Sequence, residues 1–86
     1  MFHYVYIIYS ETFDKYYNGY SILPEKRLQQ HNNGESRYTR HFIPWKLIYV
    51  ERFLEKTEAL KREKALKKYS KAQILVLVKS PKNELG

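Results

Sequence analysis

Apolar and aromatic residues fill positions 3–9, His-Tyr-Val-Tyr-Ile-Ile-Tyr, almost without a break. Such a run predicts a strand covered on both faces. A polar stretch, residues 10–15, follows, and residues 16–21 return to β-forming types. The two runs therefore predict a hairpin, with Tyr6 and Tyr17 near each other on adjacent strands. Gly19 falls inside the second run, where glycine marks a bulge or the close approach of another group. A third run, residues 45–54, is apolar on both faces in its middle and is expected in the sheet interior.

Between the second and third strands the period changes. Pro24 suits the first turn of a helix, which is expected to run to about Asn33 and to end at Gly34. Leu28 is its core residue, while Arg27 and His31 are neighbours on one flank, roughly 5–6 Å apart. Residues 35–44 read as a loop rich in cations and rings: Arg37, Tyr38, Arg40, His41 and Phe42. After the third strand, Thr57 is placed to cap a second helix reaching about Tyr69, with Glu58 near its positive end. Ser70 and Gln73 form a capping-box pattern opening a third. The apolar run 74–78 fits strand or helix by period alone, and the cap selects helix. The whole reads as one domain over residues 3–78, with a tail from Lys79 expected to fray.

The chain has 86 residues, 43% hydrophobic and 29% charged, which suits one small folded domain. Its net charge of +7 favours a polyanionic partner, nucleic acid ahead of a membrane surface. There is no cysteine, which removes disulfide scaffolds and thiolate zinc sites. The longest apolar run is too short to span a bilayer, and the chain opens on strand-like sequence without a signal peptide. A cytoplasmic location is expected, with no membrane partner.

One position conflicts with the second helix's own pattern. Ala59, Leu60 and Leu66 make an apolar stripe, and Glu63 falls among them. A carboxylate there costs free energy unless it pairs with a cation such as Arg27 or a lysine, or binds a metal. Lys61, Lys64, Lys68 and Lys71 are expected on the opposite, solvated face.

Taken together, Tyr4-Val5-Tyr6, Tyr17-Asn18-Gly19, Arg27 and His31 on a helix, and a glutamate on a later helix resemble the GIY-YIG nuclease superfamily. The stretches Arg27-Leu28-Gln29-Gln30-His31-Asn32, Arg37-Tyr38-Thr39-Arg40 and Glu58-Ala59-Leu60-Lys61-Arg62-Glu63 look like its small stand-alone bacterial members. The resemblance implies an α+β fold, a three-stranded antiparallel sheet flanked by about three helices. It also implies an endonuclease that hydrolyses phosphodiester bonds in DNA with one divalent cation, Mg²⁺ or Mn²⁺. By position, Tyr6 and Tyr17 match the motif tyrosines, Arg27 the helix arginine, His31 its polar partner, and Glu63 the metal ligand.

Elementary chemistry is compatible with those roles. A cation held by Glu63 stabilises charge on the phosphoryl and leaving oxygens. Arg27 offers a fork of donors to a non-bridging oxygen. Either phenol, near cations, can accept a water's proton, and His31 can orient a phenol or take the proton itself. Arg37, Tyr38, Arg40 and His41 would contact nucleic acid, DNA ahead of RNA. The sequence departs from the family name at Tyr4, where glycine is usual, and at Asn18, where a branched apolar residue is usual. No appended targeting module is expected, so the domain is expected to bind weakly and unselectively or to depend on a protein partner for target choice. The competing function is a non-catalytic nucleic-acid-binding module that keeps the fold.

Overall fold

The computed structural model describes residues 1–85. The elements run β1 (His3–Ser10), β2 (Lys15–Ser21), α1 (Pro24–Asn32), a 3-10 turn (Thr39–Phe42), β3 (Lys46–Phe53), α2 (Lys56–Leu66) and α3 (Lys71–Val78). The strands form one antiparallel sheet in the order β2-β1-β3. The expected α+β architecture is present, and the central strand is β1.

Successive side chains of β1 alternate between two cores, as a period of two requires. Val5 and Ile7 join Tyr49, Ala59, Leu66, Ile74 and Leu77 on the face covered by α2 and α3. Tyr6 and Ile8 join Trp45 and Val50 on the other face, packed by Leu28 of α1 and Phe42 of the 3-10 turn. A register shift at Ile7 and Ile8 accommodates one extra residue of β3. Across β2, Tyr6 stands opposite Gly19 and Ile8 opposite Tyr17.

Pro24 opens α1, and Gly34 follows it at a φ of +79°, with its N–H donating to the His31 carbonyl. Ser70 and Gln73 cap α3 reciprocally, as their spacing predicted. Thr57 does not cap α2: that helix begins at Lys56, after Glu55, with no side-chain cap bond. It also ends earlier than expected, at Leu66, where Lys68 and Tyr69 tighten onto the Ala65 and Leu66 carbonyls. The lysine stripe is thereby interrupted, and Lys71 instead pairs with Asp14 of the hairpin turn. Arg62 anchors α2 to the sheet through Glu51, 3.0 Å away, whose carboxylate also accepts from the Tyr49 hydroxyl at 2.6 Å.

Two expectations fail together. The third strand lies at the sheet edge, not in its interior, because both of the long apolar runs competed for the centre and the hairpin partner set β1 there. Its exposed backbone is then covered by residues 83 and 84 of the tail, which are hydrogen-bonded to it rather than frayed. The Asn83 amide donates to the Ile48 and Val78 carbonyls and its oxygen accepts from Val50 N–H, while Glu84 N–H reaches the Val50 carbonyl at 2.8 Å. Unpaired edge groups need such partners, and a local polar tail supplies them. Gly86 lies outside the described residues.

Candidate active site

The site starts from an absence of side chain. Gly19 faces Tyr6 across the hairpin, and a Cβ built there would sit 2.4 Å from the Tyr6 hydroxyl. The phenol of Tyr6 thus lies across the backbone of β2, in space that only glycine leaves. It is 1% exposed.

α1 approaches this ring from the same face and brings His31 to it. His31 is wholly buried, with Nε2 2.9 Å from the Tyr6 hydroxyl and Nδ1 2.7 Å from Thr39 Oγ1. A neutral imidazole has one donor and one acceptor, so the two hydroxyls and the ring form a directional chain. Burial, and then the nearby positive charge of Arg27, lowers the His31 pKa to about 4. The ring is therefore neutral at neutral pH. Burial raises the pKa of Tyr6; the Arg27 guanidinium opposes this, while Tyr17 and Glu63 add to it.

Tyr17 stands edge-on to the same imidazole, its ring centroid 5.4 Å away, and keeps part of its surface in solvent. Arg27, one turn before His31, is half-buried and donates through Nη1 to Gln30 Oε1 at 2.6 Å. Glu63 belongs to α2, whose packing face is on the far side of the sheet. Asn18 bridges that separation: its amide donates to the Glu63 carbonyl at 2.8 Å, tying this turn of α2 to β2 beside Tyr17. The Glu63 side chain is partly exposed rather than core. The ion pair with Arg27 or a lysine is not formed among the described residues.

The structure thus gathers Tyr6, Tyr17, Arg27 and His31 directly and brings the charge of Glu63 within influence of Tyr6. Arg37, Arg40 and His41 lie exposed on the loop after α1, with Tyr38 beside Tyr17 at a ring separation of 6.0 Å. Trp45 is buried and donates its indole N–H to the Thr39 carbonyl. Thr39, Gln30 and the tethering role of Asn18 escaped the sequence reading. Nothing local distinguishes a loop threonine that will meet a buried histidine eight positions earlier.

A family profile described as the GIY-YIG catalytic domain matches residues 2–75. The chain belongs to the GIY-YIG family. Similar proteins include UPF0213 proteins of Staphylococcus saprophyticus, 42% identical over 77 residues, and of Syntrophus aciditrophicus, 43% identical over 79. The match spans 88% of this chain in each case, and 93% and 88% of those proteins respectively. The solution NMR structure of the UPF0213 protein from Bacillus halodurans shares the fold with a TM-score of 0.59 and 30% identity, covering 99% of this chain and 90% of that one. In this GIY-YIG member the departure at Asn18 has a physical reason, since a branched apolar residue has no amide to hold Glu63's turn. Tyr4 packs among the residues surrounding Tyr6.

Proposed function

We propose that this protein is a divalent-metal-dependent endonuclease that hydrolyses phosphodiester bonds in DNA. The observation that supports it is the convergence of Tyr6, Tyr17 and Arg27 on one buried, neutral imidazole, His31. Sheet packing alone does not require a titratable ring, stripped of water, between two hydroxyls.

The fit for a cation is that of a water-rich site. Glu63 is a partly exposed carboxylate without an ion-pair partner among the described residues, and no cluster of three or more His, Asp or Glu joins it there. Mg²⁺ commonly takes one or two carboxylates and keeps several waters. A bound Mg²⁺ or Mn²⁺ would supply Lewis-acid stabilisation of charge on the phosphoryl and departing oxygens. The chain's own residues do the rest. In the tautomer that carries its proton on Nδ1, Tyr6 O–H donates to His31 Nε2 and His31 Nδ1–H donates to Thr39 Oγ1. As the Tyr6 proton moves to Nε2, the phenol oxygen takes a proton from the attacking water. The water oxygen bonds to phosphorus, the P–O3′ bond breaks, and the 3′ oxygen is protonated from solvent. The Nε2 proton then returns to Tyr6 as the phenol gives up the proton taken from water to solvent, restoring the neutral ring. Arg27 holds a non-bridging oxygen, and that anion offsets the guanidinium charge, which is the second cause after burial of the low His31 pKa. Tyr17, which retains solvent access, contacts the phosphate.

Incubation of the purified protein with single-stranded, duplex and branched DNA in Mg²⁺ or Mn²⁺ tests the proposal. At least one substrate should be cut, and Tyr6→Phe and Glu63→Ala should each lose about 100-fold or more, as for loss of an acid–base group. Undiminished cutting by both variants would assign the activity to a contaminant, and no cutting by the wild type would leave the binding module as the function.

A further inference from the structure

Four rings from three separate elements continue outward from the site. Tyr17 neighbours Tyr38, Tyr38 neighbours Phe42 at 5.2 Å, and Phe42 neighbours Phe13 of the hairpin turn at 5.5 Å. Successive rings are tilted or edge-on, at 31°, 53° and 76°, so they do not cover one another's faces as parallel stacks would. Phe13 is 47% and Tyr38 50% exposed. Leaving such area in water is unfavourable, and a contiguous exposed patch marks a binding surface.

The surrounding charge identifies the occupant. Lys15 Nζ lies 5.8 Å over the Phe42 ring, and Arg37 and Arg40 are exposed on the same loop as Tyr38. The turn's two carboxylates, Glu11 and Asp14, are paired with Lys46 and Lys71. Glu35 is the exposed acid of the loop. Rings with open faces, flanked by cations, fit unpaired nucleobases on a phosphodiester backbone, because the faces of paired bases are already stacked.

We propose that Phe13 and Tyr38, joined through the partly buried Phe42, form a stacking track for unpaired bases, leading a single strand to Tyr17 and the catalytic pocket. This rests on the nuclease reading only for the strand's destination; the track itself is a matter of binding. The test is therefore made in EDTA, by fluorescence anisotropy with a labelled thymidine oligonucleotide, a uridine oligonucleotide and a blunt duplex of equal length. The thymidine oligonucleotide should bind more tightly than the duplex. Phe13→Ala and Tyr38→Ala should each weaken single-strand binding by roughly 10-fold with little effect on the duplex, as for loss of one base–aromatic stack. Phe13→Tyr should retain binding and Phe13→Leu should not, since leucine keeps apolar area without a π face. A parallel loss on the uridine oligonucleotide supports the shared chemistry, and a loss confined to thymidine assigns the track to DNA. Wild-type affinity in the alanine variants, full rescue by leucine, or an equal loss on duplex would overturn the proposal. The wild type separates the two readings: a protein that binds the oligonucleotide as expected and never cuts it would defeat the nuclease reading alone.

Discussion

His31 carries two burdens that a surface histidine would not. It is buried without charge, and it must satisfy both ring nitrogens from hydroxyls on different elements. Its pKa, about 4 in the folded chain against 6.5 ordinarily, links stability to pH. Between those values the unfolded chain binds the proton and the folded one does not, so stability falls as pH drops from 6.5 towards 4. The full loss from this ring is on the order of 3 kcal/mol at most. Thermal unfolding followed across that window should show the decline, and His31→Gln should remove its histidine component. Gly19 makes the complementary statement in steric form. Gly19→Ala places a methyl within contact distance of a phenol that has no room to retreat. It should destabilise by about 1–3 kcal/mol through overpacking and should cut nuclease turnover at least as severely as Tyr6→Phe, because the displaced phenol leaves His31. Turnover at the wild-type level would show that Tyr6 need not occupy its observed position. The glycine was visible in the sequence as a place of close approach, whereas the group approaching it was not.

At the scale of elements, strand and helix types followed from period, and their ends followed less well. α3 began where its capping box put it, but Thr57 was a poor guide to α2 because a capping residue must itself be non-helical, and the helix already includes Thr57, with Glu55 at the cap position. The position of β3 and the fate of the tail were read wrongly for one reason. An apolar run reports that both faces are covered and says nothing about what covers the edges. Here Asn83 covers an edge, accepting from the Val50 and Leu85 N–H groups and donating to the Ile48 and Val78 carbonyls. Asn83→Ala should therefore cost about 2 kcal/mol, the sum of partly compensated buried hydrogen bonds, measured by denaturant unfolding. A loss below about 0.5 kcal/mol, the level of an ordinary surface substitution, would mean that the tail contributes little to holding β3.

Considered as a whole molecule, the chain is a thin sheet with a core on each face, and the groups proposed for catalysis come from both sides. Tyr6, Tyr17, Arg27 and His31 belong to the face under α1, while Glu63 belongs to the helix on the other, joined at β2 through Asn18. Around them lies a net charge of +7. Binding of DNA should accordingly release counterions, and affinity should fall by roughly 10-fold or more between about 50 and about 200 mM salt. Titrations at several salt concentrations measure this, and a flat profile would remove the basic loop from the interface. Among the described residues no helix is long and apolar enough to cross a membrane.

Residue order alone determined the kinds of elements, the hairpin, the helix stop at Gly34, the helix start at Ser70, and the family resemblance with the five site residues it implies. Those depend on period, propensity and spacing, which act within a few residues of one another. Tertiary structure decided that Tyr6 lies against Gly19, that His31 is sealed between Tyr6 and Thr39, that Asn18 holds the turn carrying Glu63, and that the tail closes β3. Each of these joins groups distant in the chain. Which buried donor meets which acceptor is settled by the packing of the whole fold, since an unpaired polar group is costly wherever in the sequence its partner lies.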